Sequence, residues 1–290
     1  MKALCIYHGS CDDGFAAAWA VRRALGDDVE FWPGVYQKDP PWHLLDGRGV
    51  FLVDFSYKRP VLERMLDRVS QLTILDHHAT AEEELSPLMA GGIDSPVLGK
   101  FDMRQSGSMI TWKWFHEEPP PKLFAYIEDR DLWRKALPDG DRVIMALRSY
   151  PQDFAVWDEL MNDNELDRLR LEGEAIHRWY RHQVDILKNG YVRWVAFNGL
   201  MGGDYVVPAV NCPPMFASEI AGELAAEHGT PFALCYWDTP TRTTLSFRSR
   251  GPFHVGKLAE NWGGGGHAGA AGCAVERDFL QFVPAPQPQP

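Results

Sequence analysis

Asp76, His77 and His78 stand in a row at the end of an apolar run, Leu72 to Leu75. A carboxylate and two imidazoles are metal-binding and acid–base groups. The run before them reads as a short buried strand. In an open α/β sheet, ligands collect outside the carboxyl ends of the strands, so a strand stopping at this triplet puts it where chemistry is done. The bland alternative is an Asp that caps the following helix, with two exposed imidazoles beside it. Three other places share the pattern. His8 with Asp12 and Asp13, then Asp54, then Asp129 with Asp131, each fall at the end of an expected element. Carboxylates gathered in one crevice repel one another and resist desolvation. Divalent ions relieve that cost, and mixed carboxylate and imidazole donors suit Mn²⁺, less specifically Mg²⁺, Zn²⁺ or Fe²⁺. Asp54 alone is explained by capping, and Asp129 alone by pairing with Arg130 or Arg134. Four coincidences at one sheet edge are not.

The elements that must position these groups alternate. Strands are expected over Ala3–Tyr7, Val29–Trp32, Gly49–Phe55 and the run ending at Asp76, with helices over Phe15–Leu25 and Lys58–Val69. Strands alternating with helices imply a parallel sheet covered on both faces. From Ser106 the pattern turns helical, ending in a long charged amphipathic stretch, Glu165–Leu187, closed by Gly190. A second α/β part follows. Strands are expected at Tyr191–Phe197, Tyr205–Asn211, Phe232–Trp237 and Thr243–Phe247, and helices at Phe216–His228 and Val255–Trp262. The fold class is therefore α/β: an N-terminal doubly wound parallel sheet, a helical linker, and a smaller C-terminal domain with a mixed sheet. The expected boundaries are 1–150, 151–190 and 191–283, with a Pro-rich disordered tail at 284–290.

The second part carries its own signal, Gly263-Gly264-Gly265-Gly266-His267 running into Ala268-Gly269-Ala270-Ala271-Gly272. Consecutive glycines leave backbone N–H groups unshielded, as in anion-binding nests, and His267 adds a donor. A flexible connector is the alternative, but a connector rarely carries a His and then enters an apolar strand. Arg248 and Arg250, just after a strand, are candidate phosphate partners, or else solvated surface arginines.

Composition narrows the class. The 290 residues suit one large domain or two smaller ones, and no apolar run approaches a membrane span. No stretch resembles a signal peptide, so a cytoplasmic protein without a membrane partner is expected. Five Cys without a CxxC pair argue against a disulfide framework or a structural zinc site. The formal charge of −11 disfavours a long polyanion. It leaves room for a small phosphorylated molecule held by local cations or metals.

Asp76-His77-His78, taken with Gly264-Gly265-Gly266-His267-Ala268-Gly269-Ala270-Ala271-Gly272, resembles the DHH phosphoesterases with a DHH-associated C-terminal domain. That group includes RecJ-type exonucleases, nanoRNases and cyclic-dinucleotide phosphodiesterases. The resemblance runs from Tyr7 to Val275. It implies a catalytic DHH domain at 1–150 and a substrate-binding domain at 191–283, with two metal ions, Mn²⁺ first. His8 and an Asp of the first loop would hold one ion, and Asp54 would bridge. The other loop Asp, His77 and Asp129 would hold the second. His78 would lie beside the scissile phosphate and Asp76 would orient the imidazoles. Arg248, Gly264, Gly265, Gly266 and His267 would grip the substrate. Many relatives carry Asp-x-Asp in the first loop. Here Cys11-Asp12-Asp13-Gly14 leaves open whether Asp12, Asp13 or Cys11 fills each place.

The function implied is metal-dependent hydrolysis of short oligonucleotides or of linear or cyclic dinucleotides. The expected partner is a small phosphorylated nucleotide rather than long nucleic acid, and a homodimer is compatible with it. Two rival readings are a small-molecule phosphatase, acting on a nucleotide bisphosphate, pyrophosphate or polyphosphate, and a non-catalytic nucleotide-binding module.

Overall fold

In a computed structural model, residues 2–90 and 95–286 are described. The chain divides into two compact units, Met1–Arg178 and Trp179–Pro290. Of the expected C-terminal tail, 287–290 lie outside the described residues.

The first unit opens β1 (Ala3–His8), α1 (Asp12–Leu25), β2 (Val29–Gly34), β3 (Gly49–Val53), α2 (Arg59–Leu66), β4 (Gln71–Asp76), α3 (Ala79–Leu85) and β5 (Val97–Phe101). The strands form one sheet in the order β2-β1-β3-β4-β5, and every pairing is parallel. Alternation along each strand sorts the side chains to two faces. Leu4, Ile6, Leu52 and Ile74 join a core with Leu62 of α2, while Cys5, Val53 and Leu75 meet Ala17 and Val21 of α1 and Ile110. Strands buried on both faces read as near-continuous apolar runs, which is why β3 and β4 in particular were visible in the sequence; β2, at one edge, showed by its short aromatic run closed by Pro33-Gly34.

The fifth, β5, was not visible. It is a short edge strand whose Gly99 has φ +141 and lies so close to β4 that a Cβ would stand 1.8 Å from Ile74 O. Apolar patterning does not reveal a strand built around a close backbone contact.

Beyond the sheet come α4 (Gly107–Phe115), α5 (Lys122–Asp131), α6 (Gly140–Leu147), α7 (Phe154–Leu160) and α8 (Leu166–Gly190). Ser106 caps α4 by accepting from Met109 N–H. Phe15, Trp19, Trp112, Phe124 and Trp157 share an aromatic-rich core that fixes α1 against these helices.

The second unit holds β6 (Val192–Leu200), β7 (Gly203–Asn211), α9 (Ala217–Glu227), β8 (Phe232–Asp238), β9 (Thr243–Ser249), α10 (Val255–Glu260), β10 (Gly265–Gly266), β11 (Ala270–Val275) and β12 (Gln281–Val283). Its sheet runs β10-β11-β9-β8-β7-β6-β12, mixed because β7 and β8 pair parallel while the other pairs are antiparallel. Val207, Phe232, Phe247, Leu258 and Cys273 are buried on one face. Among the described residues, no helix is long and apolar enough to cross a membrane.

Candidate metal centre

The carboxyl ends of β1, β3 and β4 lie side by side, and each ends on a charged or imidazole group. Tyr7 of β1 pairs with Val53 of β3, which pairs with Leu75 of β4. His8, Asp54 and Asp76 follow directly. Asp54 leaves β3 at φ +54, a conformation uncommon outside glycine. It is 1% exposed and sits at the centre of the cluster. Its Oδ1 lies 3.0 Å from His77 Nε2, and its Oδ2 lies 3.4 Å from His8 Nδ1.

Two more carboxylates come from helices. Asp12 and Asp13 occupy the first turn of α1, where the helix dipole favours acids. Successive helical residues point about 100° apart, and here they part company. Asp13 turns inward, with Oδ2 3.9 Å from His77 Nε2 and Oδ1 accepting from Ser108 Oγ at 2.5 Å. Asp12 turns away to pair with Arg148 Nε at 2.6 Å. Gly14 makes this turn possible, because a Cβ there would stand 2.2 Å from His8 O. From α5, Asp131 Oδ2 reaches 3.4 Å from His77 Nε2. Asp129 instead accepts from the backbone N–H groups of Ala136 and Leu137, at 2.9 and 3.3 Å. The structure thus brings His8, Asp13, Asp54 and His77 together with Asp131. It places Asp12 and Asp129 in other contacts.

Behind this cluster, Asp76 is fully buried and holds the His77 backbone and the His78 imidazole. Its Oδ1 accepts from His77 N–H at 2.7 Å and lies 2.7 Å from His78 Nδ1, while its Oδ2 accepts from Ser56 Oγ at 2.6 Å. Burial opposes ionisation of Asp76, yet the His78 charge and hydrogen bond outweigh it and hold the carboxyl at about 2. Asp76 thus anchors the His77 backbone and the His78 ring. Burial likewise opposes protonation of His77, but its bond to Asp54 and the charges of Asp131, Asp54 and Asp13 push it up to about 10. Burial, followed by the Asp54 and Asp131 charges, drives the Asp13 carboxyl well above its usual range. The Cys11 thiol is also raised, by burial and then by the charges of Asp54, Asp131, Asp13 and Asp12.

Asp13 Oδ2, Asp54 Oδ2 and Asp131 Oδ2 are all buried without a hydrogen-bond donor among the described residues. Buried carboxylate oxygens left without donors suit a bound cation. Within the first unit two overlapping donor groups are formed, His8 with Asp54 and His78, and Asp13 with Asp54 and His77, each with ligand atoms within 4.8 Å of one another. Asp54 belongs to both, and Asp131 borders the second. The mixed oxygen and imidazole set fits divalent ions.

Sequence reasoning missed three supporting residues. Ser108 binds Asp13, Ser56 binds Asp76, and Gly107 would place a Cβ 2.4 Å from Asp54 Cβ. A serine or glycine at a helix start is too common to stand out without the fold.

In the second unit, the glycine stretch is a tight hairpin. Gly265 pairs with Gly272 and Gly266 with Ala271. A Cβ at Gly264 would stand 2.2 Å from Gly272 O, and Gly266 has φ +141. Gly264 and Gly266 are therefore required by backbone packing, independently of any ligand. His267 N–H closes the turn on Ala270 O at 2.8 Å. Arg248 donates to Ser218 Oγ at 2.7 Å and to Phe247 O at 2.7 Å.

Residues 202–284 match the DHHA1 domain. The chain is 28% identical over 297 residues to the uncharacterized protein R106 of Acanthamoeba polyphaga mimivirus, covering 93% of this chain and 66% of that relative's length. Among solved structures it is similar to RecJ in complex with Mn²⁺ from Thermus thermophilus, at 18% identity and a TM-score of 0.48, covering 96% of this chain and 50% of that one. It is also similar to an exopolyphosphatase-related protein from Bacteroides fragilis, at 11% identity and a TM-score of 0.48, covering 94% and 86%. A pGpG-specific phosphodiesterase, PggH, from Vibrio cholerae aligns at 11% identity and a TM-score of 0.42, covering 96% and 94%. Residues 202–284 are thus a DHHA1 domain by their match, and the Asp76-His77-His78 triplet stands at the end of β4 in the first unit.

Proposed function

We propose that this chain is a metal-dependent phosphodiesterase acting on short oligonucleotides or dinucleotides. The observation that carries the proposal is the set of buried oxygens without a hydrogen-bond donor on Asp13, Asp54 and Asp131, whose carboxylates surround His77 at the carboxyl end of a parallel sheet, with the Asp54 oxygen turned towards His8. His8, Asp13, Asp54, His77 and Asp131 would hold two divalent ions, Mn²⁺ by donor type, with Asp54 shared. Bound there, the ions supply Lewis-acid stabilisation of negative charge on the phosphoryl group.

The protein's own groups then divide the remaining work. Asp76 fixes the His78 ring through Nδ1, which leaves Nε2 as the nitrogen for the substrate. Burial opposes a charge on His78, but the Asp76 charge and hydrogen bond raise its affinity for a proton. A protonated His78 donates from Nε2 to a phosphoryl oxygen or to the departing oxygen, while Asp76 balances the charge. Burial of the cluster keeps bulk water from competing with these contacts. The −11 formal charge favours a small phosphorylated substrate over a long strand. Within the second unit, Arg248, the Gly264–Gly266 hairpin and His267 are the groups this reading assigns to phosphate binding.

The test is a substrate panel with Mn²⁺, resolved by chromatography. It contains a 5′-phosphorylated linear dinucleotide, a cyclic dinucleotide, adenosine bisphosphate, pyrophosphate and a long single strand. The proposal expects mononucleotides from a dinucleotide and little turnover of the rest of the panel. Release of inorganic phosphate alone would favour a small-molecule phosphatase. Binding without turnover would favour a nucleotide-binding module.

A further inference from the structure

The segment after β2 is built to set one aromatic ring against the metal centre. Gly34, at the end of β2, is in register with His8. A Cβ at Gly34 would stand 2.8 Å from the Phe55 ring, so glycine there lets the chain pass close over Phe55. The backbone then turns: Lys38 N–H donates to Val35 O at 3.1 Å, and Gln37 sits at φ +63. A positive φ at that turn position favours Gly or Asn, so a Gln there holds an uncommon conformation. Such outliers persist where the surroundings demand them, and they cluster at ligand sites.

The residue presented by this turn is Tyr36. Its ring centroid lies 5.2 Å from that of His8 and 5.9 Å from that of His78, both edge-to-face, and 4.9 Å from that of Phe55. No ring stacks on it among the described residues. Tyr36 as a residue is 44% exposed and the adjacent Val35 is 51% exposed, while the Tyr36 hydroxyl end is buried towards the Asp76, Asp54 and Asp131 carboxylates. Tyr36 thus rests on the His8 imidazole and on the imidazole held by Asp76, with its hydroxyl end inward and part of the residue open to solvent.

We infer that Tyr36 is the stacking surface for a nucleobase of the substrate, setting a preference for nucleotide over plain phosphoester at this centre. The inference rests on the proposed phosphodiesterase reading. A base attached to a sugar whose phosphate meets His78 has an aromatic face within reach. Stacking on a single side chain tolerates any base, because every base has a π-face.

The experiment compares a 5′-phosphorylated adenine dinucleotide with the same molecule lacking both bases, in full-length protein with Mn²⁺. Tyr36→Ala should cut the ratio of kcat/KM between the two substrates by about five- to a hundred-fold, chiefly through KM for the adenine dinucleotide. Tyr36→Phe keeps the ring and should keep the ratio. Equal losses on both substrates would mean that Tyr36 only props His8 and His78, and would overturn the inference, as would an unchanged ratio in Tyr36→Ala. A Phe variant as impaired as Ala would assign the effect to the hydroxyl and also overturn it. Wild-type protein that cleaves neither substrate would bring down the phosphodiesterase reading and the stacking with it. Cleavage of both without dependence on Tyr36 would bring down the stacking alone.

Discussion

Gly107 and Asp54 are in such close approach that a Cβ at Gly107 would stand 2.4 Å from Asp54 Cβ and 2.6 Å from its Oδ1. The start of α4 therefore forms the wall against which the central carboxylate is set. Gly107→Ala should push Asp54 out of place. Overpacking of this kind costs about 1–3 kcal/mol, and bound metal should fall with it. Elemental analysis and thermal unfolding check both; a variant with full metal and unchanged Tm would show that Asp54 tolerates displacement.

The two acids at the end of α5 should behave differently. Asp131→Asn should lower metal content with little effect on stability, because its Oδ2 has no donor among the described residues. Asp129→Ala should keep the metals but destabilise the chain by about 1.5–3 kcal/mol, since the part-buried N–H groups of Ala136 and Leu137 lose their hydrogen bonds to a charged acceptor. The reverse pattern would restore Asp129 as the ligand.

The first loop gives a parallel contrast. Asp13→Asn should reduce metal stoichiometry. Asp12→Asn removes a half-exposed pair with Arg148, worth about 0–1 kcal/mol, and should leave metal untouched. Equal metal loss in both variants would mean that the loop rearranges on binding.

Metal uptake should release protons. In the metal-free protein His77 holds its proton up to about 10. A histidine raised in this way contributes stability that is fully present below the ordinary imidazole value of about 6.5 and lost as pH rises through about 10. The same proton competes with a metal ion, so Mn²⁺ affinity should rise with pH between these limits. Calorimetry in buffers of different ionisation enthalpy should show proton release on Mn²⁺ binding at a pH between those limits. Binding that is independent of pH and buffer would contradict the His77 assignment.

The parts of the site that the sequence disclosed are those written as strand ends. His8, Asp54, Asp76, His77 and His78 each follow an apolar run, and parallel strands carry such ends to one edge. Helical acids were harder to place. Asp129 and Asp131 are two residues apart on α5, hence on different faces, and only the packing of α5 decides which faces His77. Asp12 and Asp13 pose the same problem one residue apart, although Gly14, required beside His8, was a visible marker of which turn mattered. Tyr36 escaped notice because an exposed aromatic in a Pro- and Gly-flanked loop has no periodicity to betray it. The glycine stretch was read as an anion nest, and its packing shows a second reason for the same residues, a hairpin without room for side chains.

The central claim is that Asp54 joins both halves of a metal centre that hydrolyses phosphodiesters. Its most direct test is the hydrolysis of a 5′-phosphorylated adenine dinucleotide by wild-type protein and by Asp54→Ala, across a full range of Mn²⁺ concentrations. The account predicts Mn²⁺-dependent release of mononucleotides by the wild type, and no activity in Asp54→Ala at any Mn²⁺ concentration. Near-normal turnover by Asp54→Ala, or wild-type turnover that persists after exhaustive chelation, would contradict it.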